Sequence, residues 1–179
     1  EYGTMWRLDG KLHRENGPAI EWANGDKVWL INGERHREDG PAVELANGNK
    51  LWYFNDQLHR EDGPAVEDVG GSKEWHLNGK LHREDGPAIE LADGYKAWCI
   101  NGKLHREDGP AIEYADGRKF WYINREDGPA FEYANGDKFW YLNGVGMTEE
   151  EHRAQTQPAV EMTIAEIEQL LGKRIKVVK

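Results

Sequence analysis

The chain has 179 residues, of which 38% are hydrophobic and 11% aromatic, a balance that argues against a deep globular core and for a thin or elongated fold in which aromatic rings supply much of the burial. Its net charge of −10 opposes non-specific binding to the phosphates of a long nucleic acid and leaves a basic partner as the natural complement. The single cysteine, Cys99, excludes an intrachain disulfide framework and a cysteine-based zinc site and points to a reducing cytoplasm, while no apolar run approaches the ~20 residues that span a bilayer.

The chain opens on a half unit, Tyr2 to Lys11, and continues in six units from Leu12 to about Asn143. Trp6, Trp29, Trp52, Trp75, Trp98 and Trp121 recur every 23 residues, and Trp140 follows after 19. Such a period marks a repeat array. Within a unit the punctuation is turn chemistry. Asn24-Gly25, Asn47-Gly48, Asp93-Gly94, Asp116-Gly117 and Asn135-Gly136 are read as two-residue type I′ turns, with Gly70-Gly71 in the same slot. Asn32-Gly33, Asn78-Gly79 and Asn101-Gly102 make a second turn, and groups such as Asp85-Gly86-Pro87 a third. The segments between turns have strand length and strand composition. Two-residue turns put Ile20 opposite Trp29 and Trp22 opposite Lys27, so Ile20, Trp22, Lys27, Trp29, Ile31 and His36 are expected on one packed face. Between Asn124 and Arg125 the equivalent of Gly-Lys-Leu-His is missing; four residues keep the alternation in phase.

After the array, Thr148 and Glu151 are placed to cap a short helix through about Gln155, and "PAVE" at Pro158 to Glu161 echoes the repeat. Thr163 and Glu166 form a second capping box, Ile164, Ile167, Leu170 and Leu171 an apolar stripe, and Gly172 a stop; "RIKVVK" then alternates like a strand. The expected fold is mainly β, an elongated antiparallel β-hairpin repeat array over 1–143 with a small helical C-terminal cap or docking element over 144–179. Each unit touches only its neighbours, so the ends need caps.

The phrase "WYLNGKLHREDGPAIEYADG", assembled from these units, resembles the MORN (membrane occupation and recognition nexus) repeat, in the variant found in bacterial, phage and giant-virus proteins. The likeness covers roughly residues 2–143; Arg-Glu-Asp-Gly-Pro, as at Arg83 to Pro87, stands where the standard repeat has Gly-x-Gly. The tail "MTIAEIEQLLGKRIKVVK" resembles a short C-terminal element common in phage-encoded proteins. The resemblance implies a hairpin scaffold for protein or lipid contacts; it does not imply an activity.

No catalytic constellation is visible. Ser72 is the only serine, and neither it nor Cys99 sits in a nucleophile motif, so the chain is read as non-enzymatic, without metal or cofactor. The histidines His13, His36, His59, His82 and His105 recur on columns about 10 Å apart, too far to share one zinc; each is expected to pack on a Trp and bond a turn. Arg14, Arg37, Arg60, Arg83, Arg106 and Arg125 are expected to form ionic, turn-capping ladders. With the histidines they are also the residues for the alternative function, a small anionic ligand or nucleotide binder. A partner that does not repeat must use positions that vary between units, namely Trp22, Asp68, Glu74, His76, Tyr95, Tyr114, Arg118, Phe131 and Tyr133. The function expected is a scaffold binding another macromolecule, in a concrete form a phage-encoded inhibitor of a bacterial host defence protein acting in the host cytoplasm. A structural or lipid-associated module is the further alternative, and a homodimer is the expected assembly.

Overall fold

The computed structural model describes residues 3–121, 128–142 and 145–156. The shortened junction at Asn124–Arg125 lies outside the described residues, as do the "PAVE" echo, the second capping box at Thr163 and the "RIKVVK" segment. The fold is mainly β: the described residues form a 14-stranded antiparallel sheet, five two-stranded hairpins and one short helix.

One unit shows how the sequence builds both parts. Ile20–Glu21 and Lys27–Val28 belong to the large sheet, whereas Leu30–Ile31 and Glu34–Arg35 form a separate hairpin. Trp29 lies between the two. Its N–H donates to the Ala42 carbonyl of the next unit at 2.8 Å, and its carbonyl accepts the His36 N–H at 3.2 Å. The pairing of Trp29 with His36 follows from a two-residue turn at Asn32-Gly33, where both residues have positive φ, 54° and 93°. This is the type I′ geometry that Asn-Gly favours.

The other Asn-Gly turn is not the expected two-residue turn. Ile20 faces Val28, and Glu21 faces Lys27. The Trp22 N–H donates to the Asp26 carbonyl at 2.8 Å, and the Gly25 N–H to the Trp22 carbonyl at 2.9 Å. Only Gly25 of the Asn24-Gly25 pair has positive φ. The loop is therefore three residues long, a type I turn closed by a glycine bulge. Asn24 stays right-handed, and its Oδ1 accepts the Asp26 N–H at 3.1 Å. The extra residue shifts the register by one and exchanges the faces, so Ile20 and Trp29 point to opposite sides.

The two faces then read clearly. On one side Ile20, Val28, Val43, Leu51, Val66, Glu74, Ile89, Ala97, Ile112, Phe120, Phe131 and Phe139 are successive cross-strand partners. On the other side Glu and Lys alternate from Glu21–Lys27 to Glu132–Lys138, so each charge meets its opposite across the ladder. The Trp column shares this charged side, because Arg37 both stacks on Trp29 and bonds Glu44. The core is thin. It holds the alanines of the Gly-Pro-Ala groups, with Ala19, Ala42, Ala65 and Ala88 fully buried, together with Leu30, Ala97 and Cys99.

The C-terminal end closes with the strands Lys138–Leu142 and Val145–Met147 and the helix Glu149–Thr156. A capping box starts the helix as the sequence predicts: the Glu151 N–H donates to Thr148 Oγ1, and the Thr148 N–H to the Glu151 carboxylate at 2.8 Å. His152 on this helix is 1% exposed, its ring 5.1 Å from that of Trp140. The helix thus covers the Trp of the last unit.

Candidate functional site

The charged side is organised by the arginine of each Arg-Glu-Asp-Gly-Pro group. The Arg60 guanidinium lies 4.1 Å from the Trp52 ring centroid. Its Nε donates to Asp62 at 2.8 Å, and its Nη1 donates to the Pro64 carbonyl at 3.2 Å and to Glu67 at 3.0 Å. Arg37, Arg83 and Arg106 repeat the set on Trp29, Trp75 and Trp98. Arg14 keeps the stack on Trp6 and the bonds to Pro18 and Glu21; Asn16 stands where later units have Asp. The other side of the guanidinium is closed by glycine. A Cβ on Gly63 would lie 2.9 Å from Arg60 Cζ, and one on Gly86 2.8 Å from Arg83 Cζ. Each arginine is thus held between a Trp ring and a Cα, with attraction from the ring face and charge-assisted bonds at its edge.

The expected ionic ladder is present, and it engages the groups that an anionic ligand would need. Asp39, Asp62 and Asp85 are held below the usual carboxylate range by the hydrogen bond from their arginine and then by its charge. An incoming phosphate would have to displace carboxylates from Nε and Nη1. The histidines bond a turn as expected, each to the Asn 19 residues on: His13 Nδ1 lies 3.1 Å from Asn32 Oδ1, and His36, His59 and His82 repeat this with Asn55, Asn78 and Asn101. The group stacked on Trp6, Trp29, Trp52, Trp75 and Trp98 is an arginine guanidinium rather than the expected histidine ring.

The remaining carboxylates of the triplet face outward. Glu38, Glu61, Glu84 and Glu107 have side chains 83–89% exposed, each 3.8–3.9 Å from the Nε2 of its unit's histidine. Between successive triplets run open grooves of 660–740 Å³. One has Trp52, Phe54 and His59 as its floor, with Glu38 and Asp39 on one wall and Glu61 and Asp62 on the other. Three further grooves repeat this plan over Ile31, Leu77 and Ile100. The Arg and His columns named for the alternative reading therefore line these grooves, with Arg14, His36, Arg37, His59, Arg60, His82, Arg83, His105 and Arg106 among the lining residues. Arg125 lies outside the described residues. The outward Glu column is not among the residues that the sequence singles out, because strict repetition marks a position as fold-building and does not reveal that its side chain faces outward.

None of the irregular positions lines these grooves; Glu74 and Phe131 lie in the row from Ile20 to Phe139 on the other side of the sheet, and Tyr114 and Tyr133 touch Phe120 and Phe139 of that row. Tyr95 and Tyr114 are in contact at 5.2 Å, and contacts run on through Phe120 and Phe131 to Tyr141. Arg118 covers Tyr114 at 4.3 Å. Glu74 and His76 form a pair at 2.9 Å, with His76 buried. Asp68 accepts the Gly70 N–H. Trp22 and Tyr133 are exposed at separate turns; Tyr133 meets Phe139.

Neither nucleophile of the sequence stands in an activating setting. Cys99 is buried, and burial pushes its thiol pKa up; Ser72 Oγ accepts the Ala92 N–H at 3.1 Å. Among the described residues no group of three or more His, Cys, Asp or Glu is placed to hold a metal ion, and no helix is long and apolar enough to cross a membrane. No protein-family model matches the chain, and no curated protein matches it.

Proposed function

We propose that the chain is a non-enzymatic repeat scaffold that binds a basic macromolecule along its Arg-Glu-Asp face. The observation that carries this reading is the division of labour inside the triplet. The arginine is locked into the array, while the glutamates stand outward in a row on the groove rims. Acidic rows of this kind raise the on-rate and specificity for a partner of opposite charge. In the form suggested by the resemblance of the repeat and the tail to phage-encoded proteins, the partner is a host defence protein whose basic surface the array occupies.

The test is capture from bacterial lysate on immobilised protein, beside a variant carrying Glu38→Gln, Glu61→Gln, Glu84→Gln and Glu107→Gln. The expected result is a basic protein retained by the parent, released by moderate salt and lost from the variant. Equal retention by both, or nothing retained at low salt, contradicts the reading.

A further inference from the structure

We propose that the row of grooves is a docking track for a polyproline II peptide with Lys or Arg at every third residue, one cation per groove. This inference rests on the reading above and specifies the partner's chemistry and geometry.

Three observations carry it. First, the grooves are equivalent and consecutive. Four of them lie between the triplets that begin at Arg14, Arg37, Arg60, Arg83 and Arg106. Second, each combines an apolar floor with carboxylates on both walls, as at Phe54 between Glu38 and Glu61. A lysine or arginine fits that combination, laying its methylenes on the floor and its charge between the carboxylates. Third, the pitch selects the backbone. Each unit adds two strands to the large sheet, so successive grooves are about 9.6 Å apart.

A polyproline II helix rises about 3.1 Å per residue with three residues per turn, so every third side chain shares a face at about 9.3 Å. The other regular conformations fit worse. A β-strand returns a side chain to one face every second residue, at about 6.7 Å or 13.4 Å. An α-helix does so near seven residues, at about 10.5 Å, and is out by roughly one repeat-third after three steps. Polyproline II also exposes its whole backbone to water and needs no partner strand, which suits a track walled by side chains.

The test is calorimetric titration of the full chain with two twelve-residue peptides of identical composition. One is Lys-Pro-Pro repeated four times; the other carries the same four lysines grouped in adjacent pairs. The expected result is at least about tenfold tighter binding of the regular peptide, because several anchors engage at once. The Glu61→Gln/Glu84→Gln variant should lose that preference while unfolding at the same urea concentration as the parent. Equal affinity for the two peptides, or binding of neither, overturns the proposal. Salt-labile capture of a basic protein in the lysate experiment, beside equal peptide affinities, would leave the scaffold reading standing and reject only the track.

Discussion

Gly86→Ala is expected to destabilise the array by about 2 kcal/mol, although alanine is normally the better residue wherever the backbone permits it. Gly86 does not have the left-handed φ of the turn glycines, so conformation is not the reason. The new methyl would sit 2.8 Å from Arg83 Cζ and 3.0 Å from Nε, and the guanidinium has to leave. With it go the stack on Trp75 and the bonds to Asp85, Pro87 and Glu90. The pairs are partly exposed, so each contributes below about 1 kcal/mol; the ring contact and the carbonyl bond add comparable amounts. A double-mutant cycle separates this from a backbone effect. In an Arg83→Ala background the same Gly86→Ala change should be neutral or slightly stabilising, since the clash partner is gone and the unfolded chain is less flexible. Additive effects in urea unfolding would show that the glycine serves something other than the arginine.

Ala65→Leu is expected to cost about 3 kcal/mol, at the upper end of overpacking in a core. Ala65 is fully buried, and it is bonded on both sides. Its carbonyl accepts the Trp52 N–H at 2.8 Å, and its N–H donates to the Glu74 carbonyl at 2.8 Å. A larger side chain therefore pushes on two units at once. Because a repeat array is held by nearest-neighbour interfaces, hydrogen exchange should accelerate first in the units around Ala65, at the Trp52 and Trp75 amides, and least at the Trp6 end. Unchanged protection at Trp52 and Trp75 would show that the alanine row is not the seam of the array.

Much of the fold is legible in the sequence because the period is strict and the turn residues are specific. The Asn32-Gly33 turn, the Thr148–Glu151 capping box and the pairing of Trp29 with His36 follow directly. The register at Asn24-Gly25 does not, because Asn-Gly suits both a two-residue type I′ turn and a type I turn with a glycine bulge. What these turns share is the Asn or Asp before the glycine, whose Oδ1 accepts the N–H of the residue after it, at Asp26, Asn49, Tyr95, Arg118 and Asp137. In three units the residue after the glycine also ties its turn to the next: the Asp26 Oδ1 accepts the Ala46 N–H at 2.7 Å, Asn49 Oδ1 the Val69 N–H and Ser72 Oγ the Ala92 N–H, whereas Tyr95 and Arg118 fill that slot further on. The partner of that tie lies 20 residues away, beyond any local rule.

The site was legible only in part, for a similar reason. Repetition marks a residue as built into the array, yet Arg83 and Glu84 repeat equally and do opposite things. One is held between Trp75 and Gly86; the other has a side chain 86% exposed. Only the direction of each side chain separates them, and adjacent residues on an irregular loop carry no periodicity from which to read it.

That separation is the centre of the account, and one comparison addresses it: the urea unfolding midpoints of Arg83→Gln and Glu84→Gln. The first is predicted to lose about 2 kcal/mol, since a stacked and multiply bonded cation disappears, and the second to stay within about 0.5 kcal/mol of the parent, as an exposed surface substitution does. A Glu84→Gln variant as unstable as Arg83→Gln, or an Arg83→Gln variant with an unmoved midpoint, would contradict it.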